Sequence, residues 1–143
     1  MPLPHPASPG QFVTFMVGGV YFAADIRGIR EVVRTPEITR LPCPTKDVVG
    51  VANVRGRILP VADAGRCFEL GVDSQASRML VVDRDGEAFG LLVDSVEGVT
   101  GIESDMLRPV PSIWVDNALA ISSMAQVGDR LIALVDVGEI LSL

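Results

Sequence analysis

The sequence predicts an all-β protein built from two copies of one small barrel- or sandwich-forming unit. Three observations point there. Short runs rich in branched residues are separated by glycine-containing turns, helical signals are few and brief, and three blocks of the chain recur in the same order. A chain of 143 residues buries about two-thirds of its unfolded surface on folding, so an ordinary apolar core suffices.

Residues 1–10 contain Pro2, Pro4, Pro6 and Pro9 and read as a flexible tail. Gln11–Val17 alternates in period two, and Gly18-Gly19 turns the chain into Val20–Ala24. Val48–Val54 and Ile58–Ala62 flank Arg55-Gly56-Arg57, a second hairpin signal. Met79–Asp83 and Glu87–Val93 flank Arg84-Asp85-Gly86, where Asp-Gly is the strongest turn cue in the chain. Ala118–Ala125 and Arg130–Val135 flank Gln126-Val127-Gly128-Asp129. Thr45 after Pro44 is placed to cap one helical turn, and short helices are expected at Asp63–Phe68 and Asp136–Leu143.

The repeat aligns Tyr21-Phe22-x-x-x-Ile26-x-x-Ile29-x-x-Val32 with Ala88-Phe89-x-x-x-Val93-x-x-Val96-x-x-Val99, an offset of 67. Ile38-x-Arg40-Leu41-Pro42 aligns with Leu107-x-Pro109-Val110-Pro111 at an offset of 69. The run from Arg57 to Asp63 aligns with Arg130 to Asp136 at an offset of 73. Two copies are too few for a solenoid. They fit a single domain over residues 11–143, with one subdomain at about 11–70, a second at about 77–143, and Gly71–Ala76 crossing between them.

Composition excludes several function classes. The formal charge is −6, and aromatic residues make up 5%. A nucleic-acid surface needs a basic patch and stacking rings, so none is expected. The single histidine, His5, lies in the tail, which weakens Ser-His-Asp and typical zinc chemistry. Cys43 and Cys67 show no metal or redox spacing and read as reduced thiols of a cytosolic chain. No signal peptide is apparent, and no run approaches the ~20 apolar residues that span a bilayer.

Of the carboxylates, Asp25, Asp63, Asp94 and Asp136 each follow or end an apolar run. Two of them converging in a pocket would make an acid–base enzyme or small ligand-binding barrel. Turn and helix capping is the plainer reading, and the repeat favours it for Asp63 and Asp136. The run Asp83-Arg84-Asp85-Gly86-Glu87 lacks the spaced ligands of a calcium loop and reads as a solvated hairpin. No cofactor motif is found. Glu31 lies among Ile29, Val32 and Val33, and Arg55 lies at a hairpin tip. Strand alternation puts Ile29 and Glu31 on one face and Val32 on the other. Such an apolar contact beside a charge suits a recognition rim, but from the residues alone an ordinary surface ion or salt bridge is the favoured reading.

These residues resemble the CheW chemotaxis coupling proteins. The carrying segments are Tyr21-Phe22-Ala23-Ala24-Asp25-Ile26, Ile29-x-Glu31-Val32-Val33-Arg34, and Ile38-Thr39-x-Leu41-Pro42-x-Pro44. The most specific is Val49-Gly50-Val51-Ala52-Asn53-Val54-Arg55-Gly56-Arg57-Ile58-Leu59-Pro60-Val61-Ala62-Asp63. Gly90-Leu91-Leu92-Val93-Asp94-Ser95-Val96 and Leu107-Arg108-Pro109-Val110-Pro111 match in the second half.

The resemblance implies two five-stranded SH3-like barrels with short helical turns and a short C-terminal helix. It implies a non-enzymatic, cofactor-free cytoplasmic adaptor of a bacterial chemosensory array. Its partners would be the cytoplasmic hairpin tips of chemoreceptors and the regulatory domain of a CheA-type histidine kinase, with no nucleic acid bound and no membrane insertion. Carried over by position, Ile29 falls at a receptor-contact position, Glu31 and Arg55 at an acidic–basic pair, and Gly50 and Arg55-Gly56 in the coupling segment. Met79 falls near the groove between barrels. The sequence departs from the family at Ala64-Gly65-Arg66-Cys67-Phe68 and Ala120-Ile121-Ser122-Ser123-Met124, so an adaptor of a non-flagellar pathway for pili or development is the alternative.

Overall fold

Branched residues and tight turns give a structure that is mostly strand among the described residues. A computed structural model describes residues 10–41, 48–67, 77–110 and 121–140. Its strands are β1 (Gly10–Val17), β2 (Val20–Asp25), β3 (Ile29–Arg34), β4 (Thr39–Arg40), β5 (Val48–Val54), β6 (Arg57–Asp63), β7 (Arg78–Arg84), β8 (Glu87–Val93), β9 (Ser95–Ile102), β10 (Leu107–Arg108), β11 (Ile121–Val127) and β12 (Arg130–Val135). Two short helices, α1 (Ala64–Cys67) and α2 (Val137–Ile140), follow β6 and β12. The four expected hairpins all form, with strand ends shifted by a few residues at most. His5, Cys43, the Thr45 cap and the 71–76 crossover lie outside the described residues.

The strands make two six-stranded sheets, in the orders β10-β11-β12-β2-β1-β9 and β3-β7-β8-β6-β5-β4. Six strands replace the five expected because the two-residue strands β4 and β10 add to each edge. Neither order returns to its starting strand, so the sheets are curled but open.

Sheet membership does not follow the halves of the chain. The first sheet joins β1 and β2 to β9–β12, and the second joins β3–β6 to β7 and β8. A boundary near residues 70–77 therefore cuts through both sheets. The swap is made by parallel pairing of β12 with β2 and of β6 with β8, and by antiparallel pairing of β9 with β1 and of β3 with β7. Pairing of this range is written in complementary surfaces, which local strand signals do not reveal.

The repeat itself holds to the level of single residues. Exchanging β1–β6 with β7–β12 turns one sheet order into the other, reversed. Val61 pairs with Gly90 as Leu134 pairs with Ala23, and Ala62 with Leu91 as Val135 with Ala24. The bulge between Val48 and Gly50 recurs between Ile121 and Ser123. Asp63 Oδ1 accepts the Gly65 N–H at 2.8 Å, and Asp136 Oδ1 accepts the Gly138 N–H at 3.0 Å, so both aspartates cap the helix that follows.

Alternation along each strand sends residues to two cores. The inner faces of the sheets meet in a shared core that includes Phe15, Phe22, Leu80, Phe89 and Leu91. Phe22 and Phe89, equivalent in the repeat, thus sit in this one core. Phe15 and Phe22 stack with centroids 5.8 Å apart, a geometry worth about 0.5–1.5 kcal/mol beyond burial. The curl of the first sheet encloses Phe12, Ala23, Ile102, Ala125, Ile132 and Leu134. The curl of the second encloses Val49, Ala52, Leu59, Val61, Met79, Val81, Ala88 and Leu92. Gly90 gives the Met79 side chain its place there, since a Cβ would meet the Met79 sulfur and displace it.

Candidate functional site

The β5–β6 turn is built by Asn53, Arg55 and Gly56. Asn53 Oδ1 accepts the Gly56 N–H at 2.9 Å. Arg55 and Gly56 both have positive φ, 53° and 84°, as a two-residue hairpin turn of primed type requires. Glycine adopts that conformation without penalty, whereas a left-handed arginine costs roughly 1–2 kcal/mol. The equivalent β11–β12 turn uses Gly128, at φ 65°, where this turn has Arg55.

Arg55 gains a partner in return. Its Nε donates to Glu31 Oε1 at 3.0 Å and Oε2 at 3.2 Å. Glu31 belongs to β3, at the far edge of the sheet, with β7 and β8 between it and β6. The ion pair therefore spans the open side of the curl above Met79, Val81 and Leu59. Side-chain exposure is 77% for Arg55 and 24% for Glu31, so screening holds its contribution to stability to about 0–1 kcal/mol. In the first sheet the positions of Glu31 and Arg55 are held by Gly98 and Gly128, so no ion pair forms between those two positions.

The pairing of Ile29 and Glu31 on one face is corrected by a bulge. Ile29 is opposite Val82 and Glu31 is opposite Val81, so Arg30 is the extra residue. Opposed residues share a face, which puts Ile29 against the shared core and Glu31 on the face of Val81, toward Arg55. Ile29 stays half-buried at the edge, and Val32 is 40% exposed. Arg30 is held by Asp83, Nη2 to Oδ2 at 2.7 Å.

Two expected contact residues lie inside. Met79 is fully buried and fills the space over Gly90, so its role is packing and it is not available to a partner. Gly50 is buried beneath β4, where a Cβ would strike the Thr39 carbonyl oxygen. Ile29, Glu31, Arg55 and Gly56 remain at the surface. Sequence reasoning missed Ile58, which is 64% exposed and lines a shallow cleft of about 240 Å³ with Glu37, Thr39, Val51, Ala52 and Asn53. Its place beside the Arg55-Gly56 turn was the available signal.

The four aspartates do not converge. Asp25 Oδ2 binds Arg27 Nη2 at 2.6 Å, Asp94 Oδ2 accepts the Gly18 N–H at 2.9 Å, and Asp63 and Asp136 cap α1 and α2. The Arg27 guanidinium holds the Asp25 carboxyl below its ordinary range, outweighing the upward push of partial burial, and Arg27 is raised in turn. Among the described residues no group of His, Cys, Asp and Glu is placed to hold a metal, and no helix is long and apolar enough to cross a membrane. Cys67 is buried.

Fold and site together define a scaffold: a duplicated β unit carrying one polar feature on the rim of a single copy. The chain belongs to the CheW family of adaptor and scaffold proteins, and residues 11–143 match the CheW-like domain. It is 31% identical to the chemotaxis protein CheW of Helicobacter pylori over 133 residues, spanning 92% of this chain and 81% of that one. It is 40% identical to Protein PilI of Pseudomonas aeruginosa over 91 residues, 61% of this chain and 50% of that protein. The crystal structure of the scaffolding protein TtCheW from Thermoanaerobacter tengcongensis superimposes with a TM-score of 0.84 at 28% identity, covering 94% of each chain.

Proposed function

We propose that this chain is a non-enzymatic adaptor coupling the cytoplasmic hairpin tips of chemoreceptors to the regulatory domain of a CheA-type histidine kinase. It would act in the cytoplasm at receptor arrays, with Ile29, Glu31, Arg55 and Gly56 at the partner-facing rim. One observation carries the reading. Among the described residues the Glu31–Arg55 pair occurs in one of two equivalent sheets, while the other has Gly98 and Gly128 at those two positions. A left-handed arginine backbone whose side chain closes an ion pair at the rim supports this reading. Coupling is then a shift in relative position of partners, with a linkage of about 1–3 kcal/mol. Arg55→Glu is expected to weaken kinase or receptor association by roughly 1–3 kcal/mol with the fold intact by circular dichroism. Unchanged binding by a folded variant sinks the assignment.

A second reading, an adaptor of a non-flagellar pathway, is favoured by the 40% identity to Protein PilI. Deleting the gene and scoring swimming against pilus-driven movement separates the two.

A further inference from the structure

Two bulges stand at equivalent places in the repeat. In β3 Ile29 is opposite Val82 and Glu31 is opposite Val81, with Arg30 extra. In β9 Val96 is opposite Phe15 and Gly98 is opposite Thr14, with Glu97 extra. Both bulges answer the same need. Ile29 and Val32 lie three residues apart, as Val96 and Val99 do, and strict alternation would send each pair to opposite faces. With one extra residue all four fall on the shared-core side, opposite Val82, Leu80, Phe15 and Val13. In a regular β3 ladder, keeping Ile29 at Val82 would bring Glu31 opposite Leu80. Keeping Glu31 at Val81 would instead bring Arg30 opposite Val82. Either way a charge would turn toward the core.

The two bulges are held by different means. In β9 the residue after the extra one is Gly98, at φ 136°, a backbone that favours glycine. In β3 that residue is Glu31, and the described non-glycine residues of positive φ are Arg55 and Asp85 alone. The β3 bulge therefore forms without such a turn, and it carries an ion pair instead. Arg30 Nη2 reaches across to β7 and meets Asp83 Oδ2 at 2.7 Å, where the first sheet has Met16 at the position equivalent to Asp83. Side-chain exposure is 37% for Arg30 and 39% for Asp83, about half that of Arg55, so water screens this pair less. Asp83 Oδ1 is buried with no hydrogen-bond partner among the described residues. Arg30 is thus the one described side chain that meets this carboxylate.

We infer that Arg30 and Asp83 are positioning residues, whose ion pair pins the β3 bulge where β9 relies on glycine. The pin turns Glu31 toward Arg55 while Ile29 and Val32 stay on the shared-core side. Glycine cannot serve at position 31, because that residue carries the carboxylate bound by Arg55. Arg30 and Asp83 act through the backbone, since each is bonded to the other and the Glu31 carboxylate to Arg55. Any consequence for partner binding rests on the adaptor reading, and the pin itself is tested on the free chain.

The test is nuclear magnetic resonance of the full chain, following the Arg55 Nε–H signal and backbone amide exchange. Glu31→Gln supplies the signal of an unpaired Arg55. Arg30→Gln and Asp83→Asn are each expected to move the Arg55 signal most of the way to that reference and to speed amide exchange in β3 roughly tenfold relative to β6. Arg30→Lys, which keeps the charge, and the exchanged pair Arg30→Glu with Asp83→Arg are expected to return the signal toward that of the parent chain. A pair that only adds stability would lower the urea midpoint and leave the Arg55 signal in place, and that result overturns the inference. An exchanged pair that folds without restoring the signal overturns it as well. Should Asp83→Asn prove unfolded by circular dichroism, Arg30→Gln and Arg30→Lys decide. A signal kept by Arg30→Gln leaves the adaptor reading standing, whereas unchanged partner association by Arg55→Glu sinks that reading and leaves the pin intact.

Discussion

Arg55 shows how one side chain can be costly to folding and still be retained. Its left-handed backbone suits glycine, and the sister turn has Gly128 at that position. Arg55→Gly is therefore expected to leave stability unchanged or raise it by up to about 1 kcal/mol, since relief of strain offsets a screened ion pair. Thermal denaturation measures this, and partner binding should fall in the same variant. Asp25 makes a pH prediction. Arg27 lowers its folded-state pKa below the ordinary carboxylate value, so its contribution is present above the unfolded pKa and lost as pH falls through the folded one. With Arg27 exposed to solvent, the screened pair supplies less than about 1 kcal/mol. Urea midpoints at pH 5 and pH 3 should show a smaller acid loss for Asp25→Asn than for the parent chain.

Among the elements, the β4–β5 contact leaves no room for a side chain at Gly50. A methyl group there meets a backbone carbonyl, which yields less readily than a side chain. Gly50→Ala is expected to cost roughly 1–3 kcal/mol and loosen β4. The repeat provides the control. Ser123 stands at the equivalent site, and its buried Oγ has no hydrogen-bond partner among the described residues, so Ser123→Ala should be neutral or mildly stabilising. Paired urea titrations decide the comparison. The bulge in β3 was invisible beforehand, because it arises from pairing with β7 and leaves no local mark. It alone turns Glu31 away from Ile29 and toward Arg55.

At the scale of the whole molecule, both sheets rest on a core to which the two halves contribute alike. Phe22→Ala and Phe89→Ala are each expected to cost roughly 3–5 kcal/mol. Both sheets should melt together in each variant, because each phenylalanine is buried in the core the sheets share. Separate transitions for the two sheets in differential scanning calorimetry would contradict this. The same topology explains how the Glu31–Arg55 pair forms at all. A residue of the β3 edge meets one of the β5–β6 turn, across two intervening strands, only because that sheet curls around Met79, Val81 and Leu59.

Taken alone, the amino-acid order settled the eight strands of the four hairpins, the aspartate caps and the duplication, since each is encoded within a few residues by alternation, turn chemistry or recurrence, whereas β4, β9 and β10 were not read from it. Tertiary structure decided which half supplies each strand of a sheet, that Met79 and Gly50 are interior, and that Glu31 meets Arg55. Those outcomes depend on surfaces far apart in the chain coming into contact, and no local window of residues contains that information.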